Sequence, residues 1–324
     1  MDIPISQQYA IGIDIGGTNT KFGLVNHRGD ISYHGAILTH KHELVTDFID
    51  ELHQAIMPAV EDNGGIGVIR GIGIGAPNGN IYKGTIEYAP NLKWKGVVPL
   101  ADLIGKKFGV RARLTNDANA AAVGEMTYGS AKGMKDFIMI TLGTGVGSGI
   151  VANGELIYGH DGFAGELGHT IIIPDGRLHP GTGAHGSLEA YASATGVART
   201  ALEYLDNNPS TDSLMRNYAR EEIDARVVYD CAMDGDKLAL DVYQFTGKVL
   251  GLALANFVMF SSPEAIIFFG GMAKAGELLM KPTRETMEKN LLPIFQNKVK
   301  LIFSELKEAD AAILGASALV WETK

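Results

Sequence analysis

Apolar positions follow two spacings along this chain. Tyr9–Ile15 is a short run rich in isoleucine that stops at Gly16-Gly17, the pattern of a buried strand. Residues 20–25 and Ile31–Leu38 read as two further strands, with Arg28-Gly29 as the turn between them. Their hairpin spacing predicts an antiparallel meander. Over residues 43–60 the period lengthens. Val45, Phe48, Ile49, Leu52, Ile56 and Val60 recur at three and four, and Gly64 is the stop, so a helix is predicted. A fourth strand at 68–74 ends at Gly75-Ala76-Pro77.

The plan then returns. Phe137–Leu142 reads as a strand, followed by a glycine-rich turn at 143–149, a strand reaching Val151, the Asn153-Gly154 hairpin turn and a strand at 155–158. Later residues are more helical, with helical periods at 188–205, 237–260 and 276–292. Between and after them come an all-apolar strand, Ala265–Phe269, ending in Gly270-Gly271, a strand at 299–303 and a closing helix, Ala309–Trp321. Strands alternating with helices define an α/β protein. Asp14-Ile15-Gly16-Gly17-Thr18 aligns with Thr141-Leu142-Gly143-Thr144-Gly145 as a second strand–turn–strand unit. Two copies do not make a solenoid array. They read as a duplicated domain with two facing glycine loops, or as two unrelated hairpins.

Composition narrows the function. The 324 residues include 41 glycines, gathered in tight clusters, and the net charge is −9. That charge argues against a general nucleic-acid binder and against an anionic-membrane surface protein. The single cysteine, Cys231, excludes a disulfide framework and a cysteine-rich zinc site. Residues 1–10 are polar, without the cationic start and apolar core of a signal peptide. The longest apolar stretch, 249–260, is interrupted by Asn256 and is short for a bilayer. A soluble, cytoplasmic protein is expected.

A glycine turn between strands lets backbone N–H groups converge on an anion with no Cβ in the way. Asp14 and Thr18 add an acid and a hydroxyl to the first turn, a combination suited to a phosphate and its Mg²⁺. A plain hairpin with a solvated Asp14 is the competing reading. The run from Leu142 to Gly147 is a second such loop, again with a threonine, Thr144. No Gly-x-x-x-x-Gly-Lys-Ser/Thr run occurs, which excludes a P-loop. The run from Gly71 to Ala76 matches a relaxed dinucleotide fingerprint, but Pro77-Asn78-Gly79 stands where a helix should open.

Between the loops lies polar chemistry. Thr115-Asn116-Asp117 precedes an alanine-rich helix start at 118–124, with Asn119 beside it. Asp117 is either the helix N-cap or a general base at a strand end. Glu166 and His169 are spaced to share a face, and Glu189 follows at the start of the next helix. These donors and acceptors suit a polyhydroxylated ligand; a metal pair and a solvated loop are the other readings. His160, His169, His179 and His185 also raise a metal site, without tight ligand spacing. There is no Gly-x-Ser-x-Gly run and no candidate nucleophilic cysteine.

Together these residues resemble the ROK family (repressor, open reading frame, kinase) of bacterial sugar kinases, within the actin-like ATPases of ribonuclease-H-like fold. The markers are Asp14–Thr18 in numbering order, Gly75-Ala76-Pro77, Asn116-Asp117-Ala118-Asn119, the 142–149 loop, Gly165-Glu166-Leu167-Gly168-His169 and Phe269-Gly270-Gly271. The resemblance implies two similar domains flanking a cleft: 1–118 plus 306–324, closed by the C-terminal helix, and 119–305. It implies Asp117 as the base that deprotonates a sugar hydroxyl. It places sugar contacts at Gly75, Asn91, Asn116, Asp117, Glu166, His169 and Glu189, and ATP contacts at Asp14, Gly16, Gly17, Thr18, Asn19, Lys21, Gly143, Thr144, Gly145, Gly270 and Gly271. ATP with Mg²⁺ near Asp14, and a dimer or tetramer, go with it. Glu166 with His169 points to the glucokinases of the family; kinases for other hexoses or N-acetylhexosamines use the same contact types.

One departure concerns zinc. The family's structural zinc is bound by a histidine and a Cys-x-Cys-Gly-x-x-Gly-Cys run. Here Pro180, Thr182 and Ser187 stand at the three cysteine positions, so the zinc is expected to be absent and the loop to be held by packing or hydrogen bonds. Asn78, where the family often has glycine, is expected to tolerate a left-handed turn. The family's repressors carry an extra N-terminal helix-turn-helix; with a first strand read at Tyr9, none is expected here.

Overall fold

The structure is a computed structural model that describes residues 3–321. Met1 and Asp2 of the polar N-terminal stretch, and 322–324 of the expected closing segment, lie outside the described residues. In chain order the strands are β1 (Tyr9–Ile15), β2 (Asn19–Asn26), β3 (Ile31–Leu38), β4 (Ile69–Gly75), β5 (Gly79–Asn80), β6 (Thr85–Glu87), β7 (Val97–Val98), β8 (Ala112–Thr115), β9 (Phe137–Leu142), β10 (Val146–Ala152), β11 (Glu155–Leu156), β12 (Ala265–Phe269) and β13 (Lys300–Phe303). The α-helices are α1 (Val45–Asp62), α2 (Leu100–Phe108), α3 (Asp117–Tyr128), α4 (Glu189–Ala192), α5 (Ala194–Asn207), α6 (Ala225–Met233), α7 (Lys237–Ser261), α8 (Glu277–Asn290) and α9 (Glu308–Trp321).

The chain forms two compact units, one of residues 1–135, 149–165 and 304–324, the other of 136–148 and 166–303. The first is built on a sheet of order β3-β2-β1-β4-β8. β1, β2 and β3 form the antiparallel meander, while β1, β4 and β8 run parallel. Strand alternation sorts β1 onto two faces. Ile11, Ile13 and Ile15 join Phe48, Leu52 and Ile56 of α1 in one core cluster. The opposite face carries Gly12 and Asp14, and there α9 rests on the sheet backbone. A Cβ on Gly12 would lie 2.3 Å from the Ile313 carbonyl oxygen, and one on Gly73 would lie 1.8 Å from that of Ala316. Only glycine permits this approach.

α3 crosses α9 just as closely, because a Cβ on Gly124 would meet the Gly315 Cα at 2.8 Å. This packing groups α3 with the first unit, whereas the sequence expectation placed residues from 119 onward with the second. A small sheet, β5-β6-β7, and the helix α2 were not read from the sequence. Asn78 takes a left-handed φ of 51° and its side-chain amide donates to the Glu87 carbonyl at 3.0 Å, so the turn tolerates the missing glycine.

The other sheet has the order β11-β10-β9-β12-β13, with the boundary between the units falling within β10. β12 runs parallel to both β9 and β13, and β10 pairs antiparallel with β11, which repeats the first sheet's arrangement. This duplicated, ribonuclease-H-like order is the fold class expected. The single helix expected over 188–205 is instead α4 and α5. Ser193 between them is extended, at φ −82° and ψ 167°, and its side chain caps α5 by accepting from the Gly196 N–H. α7 is long and apolar enough to cross a membrane by length and composition, but 67% of its apolar window is buried inside the protein. It is a core helix, packed along α8.

Candidate active site

In the first unit, sheet register gathers residues far apart in sequence. Asp14 stands opposite Lys21 on β2 and Gly75 on β4, and Gly75 stands opposite Thr115 on β8. The next turn brings in Asp117. A Cβ on Gly75 would lie 3.7 Å from both the Asp14 Oδ1 and the Asp117 Cα, so this glycine leaves the space between the two acids clear. Burial raises the Asp14 carboxyl to a pKa of about 6; the nearby Asp117 charge raises it too, and Lys21 opposes both. Burial also raises Asp117, against its own amide and the Ala118 N–H, which donates to Asp117 Oδ1 at 2.8 Å.

Asp117 is not the helix cap. Asn116 is, accepting from the Asn119 N–H at 2.6 Å through its Oδ1, and Asp117 is the first helical residue. The acid is therefore left for other work. The side-chain amide of Asn119 is buried with no hydrogen-bond partner among the described residues. The turn after β1 closes through a Gly16 N–H bond to the Asn19 carbonyl at 3.0 Å. The Thr18 carbonyl accepts from the Thr39 N–H at 2.9 Å, tying the turn to the residue after β3. A Cβ on Gly17 would lie 2.9 Å from the Asn91 carbonyl oxygen, so Asn91 sits against this turn. The first unit thus gathers Asp14, Gly16, Gly17, Thr18, Asn19, Lys21, Gly75, Asn91, Asn116 and Asp117.

The second unit holds the other glycine turn. The Gly143 N–H donates to the Gly145 carbonyl at 3.0 Å, and the Gly143 carbonyl accepts from the Ala194 N–H at 2.8 Å. Thr195 Oγ1 donates to the Thr144 carbonyl at 3.1 Å, so the start of α5 supports the turn twice. The Gly147 N–H donates to Thr141 Oγ1 at 3.1 Å. A Cβ on Gly143 would meet nothing within 4 Å, and the same holds at Gly271. Gly270, at φ +103°, lies against the end of β9, since its Cβ would be 2.5 Å from the Leu142 carbonyl oxygen. The 143–145 turn and the Gly270-Gly271 turn therefore meet at the end of β9.

Glu166 precedes and His169 ends a short 3₁₀ turn, Leu167–His169, with Glu166 Oε2 and His169 Nε2 3.8 Å apart. Glu189 is more enclosed. Its Oε2 accepts from the Val146 N–H at 2.6 Å, and its Oε1 meets His179 Nε2 at 2.5 Å. The His169 and His179 rings are edge to face at 5.8 Å, His185 bonds the Gly176 carbonyl at 2.9 Å, and His160 belongs to the first unit.

Hydrogen bonds hold the loop that carries Pro180, Thr182 and Ser187. His179 N–H donates to the Ala184 carbonyl at 2.8 Å, and Gly183 N–H to the His179 carbonyl at 2.9 Å. Among the described residues, no three or more His, Cys, Asp or Glu side chains are grouped so as to hold a metal ion. Sequence reasoning missed Arg177, which is buried. Its guanidinium donates to the carbonyls of Ala190 and Gly196 and to Thr200 and Glu203, and it stacks 4.5 Å from the Tyr191 ring centre. An isolated arginine in a loop carries no sequence signal for this role. The partnership of His179 with Glu189, ten residues on, carried none either.

Two ribonuclease-H-like sheets, each with a glycine turn at its leading hairpin, make an actin-like ATPase fold. The model of the ROK family matches residues 10–323, and the chain belongs to that family. A glucokinase of Halalkalibacterium halodurans is 34% identical over 321 residues, covering 98% of this chain and 96% of its own length. The structure of a ROK family glucokinase from Streptomyces griseus, in complex with glucose and AMPPNP, is similar with a TM-score of 0.79 and 31% identity, covering 97% of this chain and all of that one (100%). A putative xylose repressor of Caldicellulosiruptor sp. is 31% identical over 96% of this chain, which spans 77% of the repressor.

Proposed function

We propose that this protein transfers the γ-phosphoryl group of ATP to a hexose hydroxyl, with glucose as the acceptor. The observation that supports this most is the Asp117 carboxyl. It stands at the first residue of α3, spared from capping, and desolvation holds it above the ordinary aspartate range. A carboxylate so raised is a stronger base. In this reading Asp117 takes the hydroxyl proton as the oxygen attacks the γ-phosphorus. The new O–P bond forms, the bond to the bridging oxygen breaks, and ADP leaves. Phosphoryl transfer depends mainly on positioning and charge neutralisation, which the two glycine turns supply through their amides.

The paired acids fit a cation: Asp14 ionises reluctantly because of burial and the Asp117 charge, and a nearby positive ion relieves both. Mg²⁺ would supply neutralisation of phosphate charge, with Asp14 as the residue that holds its water shell. Gly16, Gly17, Thr18, Asn19 and Lys21 join Gly143, Thr144 and Gly145 as the nucleotide phosphate contacts, and Gly270 and Gly271 serve the adenosine. Gly75, Asn91, Asn116, Glu166 and His169 hold the sugar ring; Glu189, expected with them, has both carboxylate oxygens engaged by the Val146 N–H and His179. The similarity to two glucokinases favours glucose over other hexoses.

The test is ADP release by the purified protein over a panel of glucose, mannose, fructose, allose, N-acetylglucosamine and N-acetylmannosamine. Glucose should give the highest kcat/KM. A different best sugar corrects the acceptor. Sugar binding with no ADP release from any member would replace the kinase by a sugar-responsive regulator, the class of the similar repressor.

A further inference from the structure

Glu189 has both carboxylate oxygens engaged within the second unit, one by the Val146 amide and one by His179. The tautomer of His179 follows from its other neighbours. The Thr182 N–H, which can only donate, points at His179 Nδ1 at 3.1 Å, and Thr182 Oγ1 lies 3.0 Å from the same atom. Nδ1 is therefore the acceptor, the ring proton is on Nε2, and Nε2–H donates to Glu189 Oε1. The result is a relay. The 179–182 turn orients the imidazole, the imidazole orients Glu189, and Glu189 fastens the amide of the residue that follows Gly143-Thr144-Gly145.

Gly145 supplies an independent observation. A Cβ there would lie 2.4 Å from Glu189 Oε2 and 3.2 Å from its Cδ. By contrast, a Cβ on Gly143 meets nothing within 4 Å. The second glycine of this turn thus makes room for a protein carboxylate, and the first leaves open space. Glu189 is also held from behind, where its carbonyl accepts from Ser193 Oγ at 2.7 Å.

We propose that His179 is a positioning residue: by holding Glu189 it sets the second glycine turn for nucleotide binding, and it ties that turn to the loop carrying Glu166 and His169. The nucleotide role of the turn rests on the proposed kinase reading; the mechanical link from His179 to Val146 does not. In this chain the link stands where the family resemblance would place a zinc-bound loop.

The experiment uses His179→Leu, His179→Gln and Glu189→Gln in the full chain. Amide hydrogen exchange without any ligand tests the link alone. Losing a hydrogen bond to a charged group should speed exchange at Val146 about tenfold in His179→Leu, and His179→Gln, which keeps a donor of similar reach, should restore most of the protection. Steady-state kinetics then test its use. KM for ATP should rise about tenfold in His179→Leu, recover in His179→Gln, and rise no further when Glu189→Gln is added. Unchanged exchange at Val146 would overturn the proposal. So would a lowered melting temperature with unchanged KM for ATP, which would make His179 a brace for its own loop only. If the wild type releases no ADP with any sugar, the kinase reading fails, and the exchange data still decide whether His179 governs Val146. Should His179→Leu not fold, His179→Gln and Glu189→Gln carry the same comparison.

Discussion

The two glycine turns occupy matching places on matching sheets, yet they are built differently. The turn after β1 is acidic and electrostatically loaded, with Asp14 and Asp117 converging beneath Gly75 and burial raising both carboxyls. The turn after β9 has Thr141 where the first has Asp14, and it is held by neutral partners and one shared carboxylate: Ala194, Thr195 and Glu189. Matching strand ends thus carry different partners: two acids facing each other across Gly75 in the first unit, and backbone groups fastened by Ala194, Thr195 and Glu189 in the second.

The largest expected effect breaks the acidic half. Asp117→Asn should lower kcat by about 10²–10⁴ while sugar affinity stays close to wild type, since removal of a general base costs a factor of that order. Isothermal titration with sugar beside a coupled ADP assay checks this, and near-wild-type turnover would move the base elsewhere. Next, Gly143→Val targets the open side of the other turn. Its Cβ meets no protein atom within 4 Å, so stability should change by under about 0.5 kcal/mol while KM for ATP rises at least about tenfold. Unchanged nucleotide affinity would remove this turn from the phosphate site.

Asp14→Asn sharpens the comparison through stability. The folded-state pKa of Asp14 is raised from 3.8 to about 6, so the ionised form is disfavoured by folding. The folded protein has no such penalty below pH 3.8, and it loses stability as pH climbs from there to about 6. The Asn variant should therefore be about 2–3 kcal/mol more stable than wild type at pH 7.5, with the gain nearly gone at pH 4. Urea unfolding at the two pH values measures it, and a variant less stable at pH 7.5 would contradict the buried-acid account. The smallest expected effect is none. Metal analysis should find no stoichiometric zinc, and a strong chelator followed by excess Mg²⁺ should leave activity intact; one zinc per chain, lost together with activity, would overturn this.

The strands and the glycine turns were legible because their signals are local. Tyr9–Ile15 and Ala265–Phe269 are short apolar runs closed by glycine pairs, and the structure places both as internal strands. The 188–205 segment was misjudged because its apolar period runs through Ser193, while the break depends on one side chain choosing to cap α5. Asp117 was legible as a polar residue opening a helix, but its release from capping depends on Asn116 taking that role. The grouping of Asp14 with Gly75 is set by parallel register across the intervening residues 15–74, which no local pattern encodes. His179 was weighed only as a metal ligand, because a histidine and a glutamate ten residues apart have no fixed relation until the loop between them is folded.

The seating of α9 also sets a timetable for biosynthesis. The face of β1 and β4 that bears Gly12 and Gly73 is covered by carbonyls of Ile313 and Ala316, about three hundred residues downstream of the first strand. A ribosome has released every described strand of both units before that helix exists. The second unit, whose last segment ends at residue 303, has all its own parts by then. The order of completion therefore reverses the order of synthesis: the unit begun first is finished last. Until α9 docks, the strand bearing Asp14 has one bare face, and a nascent chain stalled before residue 308 should be cleaved by protease in the first unit while the second resists.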